Sequence, residues 1–506
     1  MVRFRLAGPM SQRFAAILLA ATAALCAALL SGADAGAAVT STSAAMRGGA
    51  IGGQVPGSVA LRPAEVDSVS CSSAGYCGAG GYYLDNSSEE QAFIVAERHG
   101  AWGTPREVRG LASLGGGGGV VSSVSCASAG NCSAVGDDDS STDAAFVVDE
   151  KHGHWGRAER VPGLAALTGS GADGLSSLSC TSAGNCTAYG TYDQVTTLEQ
   201  GLIHELAFVV SEKHGKWGTA RAVPGLAALN MGGMAAIESL SCGSAGNCSA
   251  GGFYDSFKGS GLAFIVTEKH GTWRRAEQVP GLSRLDTGGN ADVNSVSCRS
   301  AGDCSAGGYY DNARGSVDGF VIGSKDGAWG RAEQVPGLAR LNTGGWAEIQ
   351  WLSCGSAGNC SAGGSYTGLK NSSQGFVVNE KHGTWGRAEQ VRGLARLNTG
   401  GIADFTSLWC ASAGNCSAVG TYNNGHSTQA FLVSENHGTW GRAEQVPGLA
   451  RLNTGGYAQV NSLSCPSAGN CSAGGSYQVG YLGYGFVVSE KHGTWGDAMT
   501  VAIPGS

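Results

Sequence analysis

Along most of this chain the apolar residues fall in short clusters with the spacing of strands, and no stretch sustains the three- and four-residue interval of a helix. One copy of the pattern shows it well. AEIQWLSC (Ala347–Cys354) mixes branched and aromatic residues with small ones and predicts a strand. GSAGN follows with turn chemistry, because Gly358 and Asn359 tolerate positive φ. CSAGGSY (Cys360–Tyr366) predicts a second strand, and TGLKNSSQ is a polar loop. GFVVNEK (Gly375–Lys381) predicts a third strand, and the HG turn leads into a fourth, TWGRAEQV (Thr384–Val391). RGLARLNTGG then connects to the next copy, with GLARLN able to form a short turn of helix.

The pattern recurs eight times. Its marker is Cys-x5-Cys, beginning at Cys71, Cys126, Cys180, Cys242, Cys298, Cys354, Cys410 and Cys465, at steps of 55, 54, 62, 56, 56, 56 and 55 residues. A fixed period of this length marks a repeat architecture, in which each unit buries its faces against its neighbours. Four short antiparallel strands per unit predict an all-β, eight-bladed β-propeller. Residue size agrees: the first two strands are rich in Ser, Ala and Gly, and the last two carry a Phe and a Trp in every copy, such as Phe376 and Trp385. A wedge-shaped blade needs small residues near the axis and bulky ones outside, so these aromatics are expected between blades. An open β-solenoid is the alternative architecture. GGQVPG (Gly52–Gly57) copies the end of a fourth strand and is a candidate latch for the ring, while MTVAIPG (Met499–Gly505) supplies the last unit with a fourth strand of its own.

The first residues change the picture of location. Arg3, Arg5 and Arg13 precede the apolar run Phe14–Leu30, and small residues follow it, as in a secretory signal; a single membrane anchor is the alternative. The expected organisation is a signal peptide over 1–37, a linker and possible latch over 38–61, and the propeller over 62–506. Gly is 85 of 506 residues, about twice the usual share, but the glycines recur at fixed repeat positions and read as turns and close packing. The formal charge is −7, with no run of Lys or Arg, which argues against nucleic acid or an anionic membrane surface as partner. No other stretch is long and apolar enough to span a bilayer, so a secreted, extracellular and monomeric protein is expected. Export permits disulfides, and the eight pairs from Cys71–Cys77 to Cys465–Cys471 are the simplest scheme. Zinc is disfavoured, since each unit offers two cysteines where a structural site uses four ligands. No cofactor is expected.

The hairpin between the third and fourth strands, SEKHGTWG at Ser489–Gly496, resembles the Asp-box hairpin of sialidase-type propellers, Ser-x-Asp-x-Gly-x-x-Trp. The gap from Gly to Trp is one residue shorter here, and Lys491 or its equivalent stands in place of Asp. In sialidases this hairpin is structural and lies away from the catalytic face, so the resemblance implies a secreted propeller and no sialidase activity. A general likeness to propeller lectins, which repeat one sugar site per blade, accompanies it.

In a four-stranded meander the first and third connections share one face, and the second connection shares the other with the link between blades. The SAGN and KHG turns of the first face are almost invariant among the copies, whereas the loops of the second vary, which marks that face for individual contacts. Six residues after each second cysteine stand Tyr83, Asp138, Tyr192, Tyr254, Tyr310, Tyr366, Tyr422 and Tyr477, and Asp139, Asp193, Asp255, Asp311 and Asn423 follow directly in several copies. These are the candidate ligand contacts: aromatic faces stack on sugars and carboxylates accept from hydroxyls. The competing role is that each Tyr closes a strand and packs over a neighbouring blade. The histidines before the Gly-Trp turn (His99, His152, His214, His270, His382, His437, His492) are expected to be structural, and no metal site is assigned. Two loops break the symmetry: Asp137–Asp143, either a calcium loop or a solvated acidic one, and Asp193–Glu205, whose Glu199, His204 and Glu205 suit acid/base work. No Gly-x-Ser-x-Gly, His-Glu-x-x-His or phosphate loop is present. The expected function is non-catalytic, multivalent recognition of a glycan or surface polymer. A glycan-degrading hydrolase or lyase on the same scaffold and a purely structural or protein-interaction role are the alternatives.

Overall fold

Every repeat folds into one antiparallel sheet, and eight such sheets are arranged as the blades of a propeller. The computed structural model describes residues 61–503 apart from 139–143, 169–172, 196–202, 258 and 369–370. The signal segment, the GGQVPG latch, Asp139 and Glu199 lie outside the described residues. In blade six the inner strand is Ala347–Ser356, the second Asn359–Thr367 and the third Ser373–Lys381. The fourth strand is interrupted. Thr384–Trp385 pairs with the end of the third strand and Glu389–Gln390 with its middle, and the same split recurs in all eight blades. The residue after each Trp, glycine in seven blades and Arg274 in blade four, turns its N–H back onto the third strand, as Gly386 does to Asn379 at 2.8 Å, so the edge strand is broken where it would otherwise offer a long template for another chain. GLARLN makes one helical turn, Leu338–Leu341 in the link after blade five, and buries Leu338.

The core lies between the blades. The eight phenylalanines, Phe93 to Phe486, are fully buried, together with the Val and Ile around them. A bulge in each inner strand, between Ile349 and Trp351 in blade six, pushes one carbonyl toward the second strand. The second glycine of each GG or equivalent pair faces that carbonyl; a Cβ on Gly364 would lie 1.9 Å from the Glu348 oxygen. Each inner strand is tied to the second by a disulfide, and all sixteen cysteines from Cys71 onward are paired within their repeats as the spacing predicts. Eight disulfides fit an oxidising compartment. Among the described residues no helix is long and apolar enough to cross a membrane.

The ring closes by packing. Blade one and blade eight share a core of Val66, Val69, Phe93, Val487, Val501 and Ile503. Arg62 donates its N–H to the Ile503 carbonyl at 3.1 Å, and Lys491 reaches the Gly100 carbonyl at 2.9 Å. Blade eight has its own outer strand, Met499–Thr500, so among the described residues no strand is exchanged across the seam. The open solenoid is thereby excluded.

Candidate functional site

One face of the ring is uniform and closed on itself. In each blade the glycine of the third connection donates to the glycine carbonyl of the first, as Gly383 does to Gly358 at 2.8 Å. The turn histidines and Asp326 have φ of 49–53°, and their backbone N–H groups reach the turn Asn or Asp, as His382 reaches Asn359 Oδ1 at 3.2 Å. In blade one Tyr76 replaces that Asn, and its hydroxyl meets His99 Nδ1 at 2.6 Å. The histidines thus serve turns. Among the described residues no group of three or more His, Cys, Asp or Glu is placed to hold a metal ion.

Beneath these turns runs an inter-blade network that the sequence reading missed. The Glu of the EK pair is buried in seven blades: Glu97, Glu150, Glu212, Glu268, Glu380, Glu435 and Glu490. Each of these is held above the usual carboxylate range, first by burial. Several receive a bond from the preceding blade: Ser305 donates to Glu380, Ser361 to Glu435, and Ser472 to Glu97 across the seam. Tryptophans reinforce the joint, with Trp440 Nε1 donating to Asn379 Oδ1 at 2.9 Å and Trp329 Nε1 to Thr267 Oγ1 at 3.1 Å. The regular spacing of EK with Trp was visible, but its direction across the blade boundary was not.

The variable face is built by the second connections and the links. The link after blade three crosses to the second strand of blade four: Gly232 donates to the Asp255 carbonyl, and Asp255 to the Met234 carbonyl. Asp311 makes the same pair of backbone bonds with Gly288 and Asn290, and Asp255, Asp311 and Asp193 are all partly exposed. Burial raises the Asp311 carboxyl, against a side-chain bond from Asn290. Tyr192, Tyr254, Tyr310, Tyr366, Tyr422 and Tyr477 sit where expected, at the ends of second strands, but their rings are buried, Tyr310 to 3% exposure. Tyr192, Tyr366 and Tyr477 pack on Phe208, Phe376 and Phe486 with centroids 6.4 Å apart. Tyr254 accepts a bond from Gln278, and Tyr477 bonds Thr500 at 2.7 Å. Half-buried Tyr83 lies under Arg62, 5.5 Å from its centroid. The covered ring faces correct the stacking expectation, so contact at these positions is left to hydroxyl edges and to the adjoining carboxylates. Asp138 is a correction of a different kind: it is buried in an ion pair with Arg160 at 3.0 Å, and its neighbour Asp137 accepts the Leu175 N–H at 2.8 Å. The Asp193–Glu205 insert is a lengthened hairpin in which Asp193 pairs with Glu205 and Gln194 with His204. What this face does expose is apolar and aromatic: Met231, Met234, Phe257, Ile402, Tyr457 and Tyr481.

The inner strands hold the least symmetric chemistry. Two serines precede each cysteine in most blades, and they staple neighbouring inner strands together. Ser297 Oγ accepts the Cys354 N–H at 3.0 Å, Ser353 accepts from Cys410 at 2.9 Å, and Ser464 accepts from Cys71 at 2.9 Å across the seam. Blade seven has Trp409 at this position, and blade six has Trp351 two residues earlier in the aligned repeat, again where the other copies have Ser. Both indoles are exposed, Trp351 to 38% and Trp409 to 41%. An inner strand is flanked by its own second strand and by the inner strands of both neighbours, so the open side is the axis. Next to them Gln350 Nε2 donates to Glu348 Oε1 at 3.0 Å and to Asp404 Oδ1, and its Oε1 accepts the Phe405 N–H. Burial, then the Asp404 carboxylate, pushes Glu348 up to about 8. At the seam Glu65 accepts from Gln459, Asn461 and Tyr82. The equivalent inner-strand positions of blades two, three and four are Val120, Gly174 and Ala236. The signal for this asymmetry was present in a comparison of the eight copies, which singles out the two Trp-for-Ser exchanges.

The class of protein these features define is an eight-bladed, disulfide-tied β-propeller. No known protein-family profile matches the chain, and no curated protein does. Solved structures similar to it, all at low identity, include neuraminidase-like proteins and a six-bladed β-propeller lectin. A subtype N11 neuraminidase-like protein from a flat-faced bat isolate (H18N11) is 12% identical, with TM-score 0.35, covering 63% of this chain and 88% of its own. Sqt1 of Chaetomium thermophilum, bound to the N-terminus of ribosomal protein L10, is 7% identical, with TM-score 0.43 and coverage of 81% and 94%. The six-bladed, fucose-recognising Aleuria aurantia lectin is 10% identical, with TM-score 0.31 and coverage of 65% and 96%.

Proposed function

We propose that this protein is a secreted, monomeric, non-catalytic binding propeller that recognises a glycan or surface polymer through its variable face. The observation that carries the reading is the difference between the two faces. One is uniform, with its turns hydrogen-bonded to each other. The other exposes Phe257, Ile402, Tyr457 and Tyr481 beside hydrogen-bonding groups such as Asp255, Asp311 and Asn423, a mixture suited to ligands with both C–H faces and hydroxyls. Loops at equivalent positions on eight blades suit a repeating polymer, whose weak contacts add through effective concentration. The tyrosines of the rim, Tyr83 to Tyr477, contribute through their hydroxyl edges and by holding the loop bases. The test is a glycan array probed with the mature protein, beside a reducing-end assay on polysaccharides. Array binding without product supports the reading, and an array without any bound glycan overturns it.

A second reading, a glycan-degrading enzyme, is favoured by one observation. Glu348 and Asp404 share the Gln350 amide, and Glu348 is held near 8, in the range of a general acid. New reducing ends that disappear in Glu348→Gln would establish it in place of binding alone.

A further inference from the structure

We propose that Trp351 and Trp409 form an axial stacking site for a neutral sugar unit, on the inner strands of blades six and seven. The inference rests on the glycan-binding reading above and deepens it by locating a subsite that the rim residues do not include.

Four observations converge. First, both residues replace a serine of the repeat: the position of Trp409 is Ser70, Ser125, Ser179, Ser241, Ser297, Ser353 and Ser464 in the other blades, and that of Trp351 is Ser in all seven others. Second, the replaced serine has a structural task. At the Trp409 position all seven serines accept the N–H of the next blade's cysteine, at 2.9–3.2 Å. Blade seven has given up that acceptor for an indole. Third, the indoles are not packed away as the repeat's own tryptophans largely are, but leave about two fifths of their surface open. A large side chain that surrenders a hydrogen bond and stays wet has not been placed for packing. Fourth, the exchanges fall in adjacent blades, beside Gln350, Glu348, Asp404 and Ser407, while the opposite arc carries Val120, Gly174 and Ala236.

The chemistry selects the occupant. An indole face accepts the flat C–H face of a pyranose, and the surrounding serine hydroxyls, amide and carboxyls bond its hydroxyl groups. The carboxyls and the net charge of −7 disfavour an anionic ligand. The two tryptophans are offset along the strand direction by two residues of the aligned repeat, a step of roughly 7 Å, so they meet successive parts of a ligand rather than one ring.

The test uses the substitutions that the repeat itself supplies, Trp351→Ser and Trp409→Ser. The probes are neutral hexasaccharides (cello-, chito-, xylo- and mannohexaose), read by intrinsic tryptophan fluorescence and calorimetry on the full mature protein. At least one hexasaccharide is expected to bind the parent and shift its emission. Each single exchange should weaken binding about tenfold and the double exchange by more than about thirtyfold, while Tm stays at or above the parental value, because the serine restores an inter-blade acceptor. Trp351→Phe should retain most of the affinity. If the double variant binds glycans within twofold of the parent, the axial site is wrong and the binding reading survives. If the parent binds none of the hexasaccharides but does bind other glycans on the array, the neutral stacking site is again wrong. If it binds no glycan at all, both fall. A Phe variant as weak as the Ser variant would overturn stacking in favour of a merely structural role.

Discussion

The serine before the inner-strand cysteine, present in seven of the eight blades, is the smallest unit of this architecture. It joins two blades by accepting one N–H, and removing that acceptor from a buried joint costs about 1–2 kcal/mol. Ser297→Ala, which strips the Cys354 N–H of its partner, is expected to lower stability by that amount in chemical denaturation. The rim tyrosines act at the same scale through packing. Tyr310→Ala should cost about 3–5 kcal/mol, whereas Tyr310→Phe, which keeps the ring, should stay within about 1 kcal/mol of the parent. Buried glutamates give the molecule a pH dependence of definite sign. Burial, then Asp149, raises Glu212 to about 7 from its usual 4.5, with Lys151 opposing. The folded protein therefore keeps a proton that the unfolded chain releases, so this contribution is complete below about pH 4.5 and is lost as pH climbs through about 7. Tm measured across pH 5–8 should fall on the alkaline side. Glu212→Gln should flatten the fall and raise Tm at pH 8 by roughly 1–3 °C.

At the scale of the element, the blade is governed by the bulge in its inner strand. The bulge advances one carbonyl against the second strand, and all eight repeats meet it with glycine, from Gly81 to Gly475. Gly364→Ala would drive a Cβ into the Glu348 carbonyl at 1.9 Å, a backbone contact that cannot yield as a flexible side chain would. We expect a loss of at least about 3 kcal/mol or failure to fold, measured by thermal melting of the purified protein. The broken outer strand is also legible in these terms. Trp needs one register to reach back to the preceding blade and Glu-Gln another to pair with Phe376, and the Gly-Arg-Ala segment between them absorbs the difference.

For the whole molecule, closure is the cooperative event. Among the described residues the ring is held at the seam by the Val66, Val69 and Val487 core, the serine staples, and the Trp102 and Glu97 bonds to blade eight. A truncation lacking residues 459–506 would leave the inner strand of blade one without its partner face. It is expected to aggregate or to melt well below the parent, and a monomer with parental Tm would contradict the closed ring. The same scale brings Glu348, Gln350, Asp404, Trp351 and Trp409 together, from two repeats 56 residues apart.

Repetition made the architecture readable from the chain alone. Eight cysteine pairs at a constant period, small residues in two strands and aromatics in the others prescribe blades, disulfides and a Phe core, because each of these depends on local spacing and side-chain size. The identity of the two faces followed from strand count. Tertiary structure decided what points where. Tyr310 and its equivalents alternate onto a covered side, which a period of two cannot reveal when both faces of a blade are buried by neighbours. The EK glutamates reach into the preceding blade, and Asp138 finds Arg160, through contacts that no local pattern encodes. Blade eight completes its own sheet with Met499–Thr500, a pairing that the strand-like run at the end of the chain already announced. Trp351 and Trp409 stood in the sequence as two exceptions among sixteen positions; only the closed ring, which leaves an inner strand a single open direction, turns them toward the axis.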